Sequence, residues 1–207
     1  MAIALNLNDQ LAVTIAALGL IFLLINILRV KKSKREFLAA SGKEAVETLV
    51  HVSSEQGKRL VLGLGHSLTS SGIGLSGASG LSLQKALLKR SLFSDHPLQS
   101  FAGDGSLACL SRMIVQGAYR GAVASELFRG SISQMGGVTP VTAVTSLTNH
   151  ISDGDNAGLL LAGQFSPMLV LLLDQADRHD LPVITSVPSL SGQAAGFFGK
   201  STNLIGE

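Results

Sequence analysis

Cysteine occurs once in this chain, at Cys109, which excludes an intrachain disulfide and fits a reducing compartment. Cys109 falls in a predicted helix beside Leu107, Leu110 and Met113, where a small buried thiol is expected. Tryptophan is absent and charged residues make up only 14% of the 207 residues, well below the usual quarter. A domain so poor in charge exposes neutral or apolar surface, and burial of that surface against further copies of the chain is the expected remedy. The formal net charge is +2. Much of the basic excess sits in one cluster, Arg29, Lys31, Lys32, Lys34 and Arg35. Without it the chain is near neutral or slightly acidic, which argues against a nucleic-acid partner.

Complete catalytic and cofactor motifs are also missing. Gly63-x-Gly65 begins like a dinucleotide fingerprint, but Leu68 stands at the third glycine position. A phosphate loop requires Gly-Lys-Ser/Thr, whereas Gly57-Lys58-Arg59 lacks the hydroxyl and precedes the strand. Gly65-His66-Ser67-Leu68-Thr69 fails as a nucleophile elbow at its last position. No catalytic residue, cofactor or metal is assigned on this basis, and a non-enzymatic role is expected.

What the chain does have is an uncharged apolar run, Leu11 to Leu28. About 20 apolar residues in a helix span a bilayer, so the run predicts a transmembrane helix over 11–30. Residues 1–10 carry Asp9 and no Lys or Arg, which argues for a retained anchor rather than a cleaved signal peptide. The basic segment 31–36 follows the run. It predicts a short extracytoplasmic N-terminus at 1–10, a single-pass cell-membrane protein and a cytoplasmic soluble domain over 37–207. Arg29, Lys31, Lys32, Lys34 and Arg35 would then lie at the interface and contact the lipid bilayer.

Within 37–207 apolar strands alternate with amphipathic helices. Helices are predicted over 36–56, 81–92, 106–124, 139–151 and from Ser166 to about Arg178. Ser166 and Pro167 serve there as N-cap and first-turn residues. Strands are predicted over 59–65, 97–102, 157–162 and 181–187, with an ambiguous one near 130–135 and a tail at 203–205. This alternation means βαβ units: an α/β, three-layer, mostly parallel-sheet, Rossmann-like domain.

Ligands of such sheets sit beyond the carboxyl ends of the strands. The glycine turns at 63–65, 103–105 and 163 would gather there. Gly63, Gly65, His66, Ser67, Asp104 and Gln164 are therefore the candidate ligand-binding residues. The hydroxyl- and glycine-rich stretch from Ser67 to Gly80 would wrap an anion or form a subunit contact. His66 and Asp104 are a conceivable base or metal pair, while helix capping alone explains Asp104. Asp174, Asp177, His179 and Asp180 read as a solvated helix end.

The anchor, Val61-Leu-Gly-Leu-Gly65, Ala102-Gly-Asp-Gly105, Leu160-Leu-Ala-Gly-Gln-Phe165 and Ile205-Gly-Glu207 together resemble a bacterial membrane-anchored family of unknown function. That family has one N-terminal transmembrane helix before a Gly/Ala-rich α/β domain. The resemblance implies no reaction. It implies that further chain, with further membrane segments, follows the Gly-Glu in similar proteins. The function expected is a membrane-tethered, non-enzymatic, homo-oligomeric scaffold. The alternatives are a ligand-binding or enzymatic domain at the Gly-rich strand edge, or one subunit of a hetero-oligomeric membrane complex.

Overall fold

The structure, a computed structural model, describes residues 17–20, 40–66 and 74–204. The chain divides into two units, Met1–Ala40 and Ser41–Glu207, and the account below concerns the second. Its elements run α1 (Ala40–Gln56), β1 (Arg59–Leu64), α2 (Leu75–Ser91), β2 (Gln99–Ala102) and α3 (Gly105–Gly121). Two 3-10 turns, Ser125–Leu127 and Gly130–Ile132, lead into β3 (Ser133–Met135). Then come α4 (Pro140–Ser152), β4 (Asn156–Ala162), α5 (Leu169–Arg178), β5 (Val183–Ser186), α6 (Leu190–Gly196) and β6 (Thr202–Asn203).

The six strands form one sheet in the order β3-β2-β1-β4-β5-β6, and every pairing is parallel. This is the strand order of doubly wound, Rossmann-like domains, with the order reversing between β1 and β4. Side chains alternate across a strand, and here both faces receive apolar ones. Leu60, Leu62 and Leu64 of β1 pack with Leu160 and Ala162 of β4 on the side of α1, α2 and α3. Val61, Leu159 and Leu161 pack on the other side with Val144 and Leu147 of α4 and Leu172 of α5. Continuous burial along β4 is the direct consequence of helices on both faces.

Local sequence explains most element ends. Asp104 accepts a hydrogen bond from the Leu107 N–H at 2.8 Å and caps α3. Thr139 and Thr142 form a reciprocal capping box on α4, with Pro140 in the first turn.

Several expectations need correction. The helix predicted from Leu81 begins at Leu75, because the glycines read there as loop residues serve close packing instead. A Cβ on Gly80 would lie 2.9 Å from Leu64 Cδ2 and 3.3 Å from the Ala162 carbonyl oxygen. Ser76 and Ser79 are therefore helical, and Ser79 Oγ donates to the Ser76 carbonyl at 2.8 Å. Ser166 does not cap α5: the helix begins at Leu169 without a side-chain cap. Cys109 is exposed on α3, because the buried stripe of that helix runs through Leu107, Ser111, Val115 and Tyr119.

The single-pass membrane localisation, with its signal anchor and cytoplasmic domain, is also corrected. Among the described residues no helix is long and apolar enough to cross a membrane. The longest helices of the domain have 17 residues. At 1.5 Å per residue that is about 25 Å, short of the roughly 30 Å hydrocarbon layer. Of the run 11–28 only residues 17–20 are described, and they are helical. Arg29, Lys31, Lys32, Lys34 and Arg35 lie outside the described residues.

Candidate functional site

The carboxyl edge of the sheet carries the glycines singled out in the sequence, and their backbone N–H groups decide what the edge can do. Gly65 donates to the Ala162 carbonyl at 3.1 Å, and Gly103 to the Leu64 carbonyl at 2.9 Å. Gly136 donates to Ala102 at 2.8 Å and Gly163 to Ser186 at 3.1 Å. The ends of β1, β2, β3 and β4 thus each pass a donor to the neighbouring strand. A phosphate cradle needs such N–H groups pointing at the ligand. Here these four are already used.

The crevice between β1 and β4, where a doubly wound sheet usually receives its ligand, is bridged by backbone. His66 N–H donates to the Gln164 carbonyl at 2.8 Å, forming an antiparallel bridge across the reversal point. A Cβ on Gly65 would fall 2.2 Å from that carbonyl oxygen, so only glycine allows the approach. Gly163 holds φ +113°, a conformation that glycine adopts readily. Gly63, also a candidate, lies inside β1, where a Cβ would stand 2.6 Å from Leu161 Cδ2. It is a packing glycine.

His66 lies against the end of β2: a Cβ on Gly103 would be 2.7 Å from His66 Nδ1. Asp104 is the next residue, and its carboxylate accepts from Leu107 N–H at 2.8 Å and from Ser106 Oγ at 2.7 Å. Ser67 lies outside the described residues. Among the described residues no group of three or more His, Cys, Asp or Glu is placed to hold a metal ion.

Sequence reasoning missed one polar atom here. His66 Nε2 and Ser166 Oγ are both buried, and neither has a hydrogen-bond partner among the described residues. They line the same void, with Phe101, Leu147 and Phe165 among its walls. Its volume is about 10 Å³, room for about one water molecule. Only the strand-end position of Ser166, three residues after Gly163, could have flagged it.

A second feature lies on the outside of the α2–α3 layer. Between these helices runs an open groove of about 560 Å³, lined by Leu92, Phe93, Ile114, Gly117 and Ala118, with Lys85 and Lys89 at its side. Phe93 is 72% exposed and Met113 of α3 is 61% exposed. The two helices carry five cations (Lys85, Lys89, Arg90, Arg112 and Arg120) and no carboxylate. Arg90 pairs with Glu47 of α1 at 2.8 Å, and this hydrogen bond holds the Glu47 carboxyl below its ordinary value, with Lys43 adding to the effect. The other side of the sheet has the opposite sign. From Pro140 to Lys200 there are five aspartates (Asp153, Asp155, Asp174, Asp177 and Asp180) against two cations, Arg178 and Lys200, which pair with Asp174 at 2.9 Å and Asp180 at 3.6 Å.

Comparisons of the chain with family models, with curated proteins and with solved structures each return no match. The resemblance to a bacterial membrane-anchored family is corrected accordingly. The short glycine motifs that carried it, such as Val61–Gly65 and Ala102–Gly105, have structural explanations in strand ends and a helix cap.

Proposed function

We infer that this α/β domain is a non-enzymatic structural protein that associates with copies of itself. The observation that carries this reading is the exposed apolar groove between α2 and α3, on a chain with too few charges to keep such a surface solvated alone. The spent glycine donors and the bridged crevice support the non-enzymatic half, because these N–H groups are not open to a phosphate. Light scattering of the full chain at micromolar concentration tests the reading. Mild non-ionic detergent would keep the apolar run at 11–28 from driving association. Particles of several subunits are expected, and a monomer under these conditions sinks the idea.

One observation favours a second reading, a small ligand at the carboxyl edge: the unpartnered His66 Nε2 and Ser166 Oγ facing one void. Its test is the melting temperature in the presence of ATP, NAD or inorganic phosphate. A rise that disappears in His66→Ala supports a ligand there. An unchanged melting temperature with all three leaves a single bridging water as the occupant.

A further inference from the structure

The void at the carboxyl edge sets strict terms for what fills it. Among the described residues, His66 and Ser166 supply the only polar side chains of its lining. His66 Nε2 and Ser166 Oγ are buried there, with no hydrogen-bond partner among the described residues. The other side chains around them are apolar, Phe101, Val144, Leu147 and Phe165 among them. A buried polar atom left unmet destabilises a fold, and nearly all such atoms find a partner. Cavities that stay dry are the wholly apolar ones.

Size and chemistry select the occupant. At about 10 Å³ the void takes about one water molecule. Inorganic phosphate or a nucleotide is larger than that. A metal ion would meet one imidazole and one hydroxyl, with no carboxylate among the described lining residues, which is a poor ligand set. Water both donates and accepts. It therefore answers the Ser166 hydroxyl in any rotation and His66 Nε2 in either tautomer.

The position gives such a molecule a role. His66 lies just beyond β1, and Ser166 lies in the connection from β4 to α5. The His66 N–H already donates to the Gln164 carbonyl at 2.8 Å. Between Gln164 and Ser166 stands Phe165, whose ring packs into the core on the α4–α5 side. We propose that the void holds one water molecule bonded to His66 Nε2 and Ser166 Oγ, and that this water and the His66–Gln164 bond together clasp the crevice between β1 and β4 shut. This deepens the ligand-binding reading of the carboxyl edge and rests on it: the ligand is water. It is independent of self-association at the α2–α3 groove.

A high-resolution crystal structure of the full chain and hydrogen exchange of the His66 amide, both in mild detergent, test the clasp. One isolated density peak is expected within about 3.2 Å of both atoms. Ser166→Ala removes one of the two anchors and leaves the space. The peak should then be lost, and the His66 amide should exchange about tenfold faster, because the bridge to Gln164 opens more often. A peak in the unaltered chain with no change of exchange in Ser166→Ala keeps the water and overturns the clasp. His66 Nε2 and Ser166 Oγ bonded to protein atoms, with no peak between them, overturn the water and the ligand reading together. This arm needs only the unaltered chain and holds even if Ser166→Ala does not fold. A melting temperature raised by inorganic phosphate, ATP or NAD, and no longer raised in His66→Ala, overturns the water clasp while the ligand reading stands.

Discussion

The two helical layers of this domain bury comparable apolar side chains against one sheet and differ in their polar groups. Under α2 and α3 lies a sealed polar network. Gln84 Nε2 donates to Ser100 Oγ at 2.8 Å and to Ser111 Oγ at 2.7 Å, and Ser111 meets Ser133 at 2.6 Å. Ser100 Oγ donates to the Ile132 carbonyl at 3.1 Å. Gln84 and Ser111 are 0% exposed. On the α4–α5 side the contacts of buried polar side chains sit at the margins, as between Thr185 and Asn203 at 2.9 Å. The comparison teaches that the two layers solve different problems. One network ties α2, β2, α3 and β3 into a single register. The other layer packs apolar side chains along the sheet and keeps its buried polar atoms, His66 Nε2 and Ser166 Oγ among them, at the carboxyl edge. The charges outside follow the same division, cationic over the network and acidic over the dry side.

The largest effect is expected from breaking the dry layer. Leu172→Ala removes a side chain that is 0% exposed and should lower unfolding free energy by about 2–5 kcal/mol in urea titration. A change below that range would mean that α5 collapses onto the void and packs less tightly than its burial indicates.

Breaking the network should do somewhat less. Gln84→Ala leaves two buried serine hydroxyls without their donor and is expected to cost about 1–3 kcal/mol. Gln84→Leu with Ser100, Ser111 and Ser133 all made alanine should recover part of that loss, because no orphaned hydroxyl then remains. Equal losses in both variants would show that Gln84 acts through volume and not through its hydrogen bonds.

The third effect is confined to alkaline pH. Tyr119, the only tyrosine, is 1% exposed, and burial raises its pKa above the ordinary value. The unfolded chain therefore ionises first. Tyr119 stabilises the fold fully below about pH 10, and that contribution is lost as pH rises through the folded value. Phenolate absorbance should appear only above about pH 10 in the folded protein, and Tyr119→Phe should flatten the alkaline fall in stability. Phenolate appearing at the ordinary pH would show that the α3 side opens locally.

The smallest effect on stability is expected at the groove. Lys85→Glu with Lys89→Glu should change unfolding free energy by less than about 0.5 kcal/mol, since both residues are exposed and neither joins an ion pair among the described residues. A larger loss would assign these lysines to the fold itself.

Much of the domain was legible in the sequence. The apolar run of Ala157 to Ala162 could only be a strand buried on both faces, and β4 spans Asn156–Ala162. Asp104 and Pro140 marked helix starts correctly because capping is local chemistry. The start of α2 was not legible. Gly77 and Gly80 are poor helix formers, and only the approach of that helix to Leu64 and Ala162 reveals why they stand there. The candidate site was legible as a place and not as a device. Gly65, Gly103 and Gly163 do lie on the carboxyl edge, yet their N–H groups bind neighbouring strands. Which carbonyl a donor meets depends on strand order, and residues nearly a hundred positions apart make that choice.

By itself the sequence determined the class of the domain, because alternating apolar strands and amphipathic helices leave few ways to bury their apolar surface. It also determined that charge is scarce and that α2 and α3 are wholly cationic. The tertiary structure alone decided the order β3-β2-β1-β4-β5-β6, the bridge from His66 to Gln164, and the separation of cationic and acidic layers onto opposite faces. Those properties arise from pairings between distant segments, which no local pattern encodes.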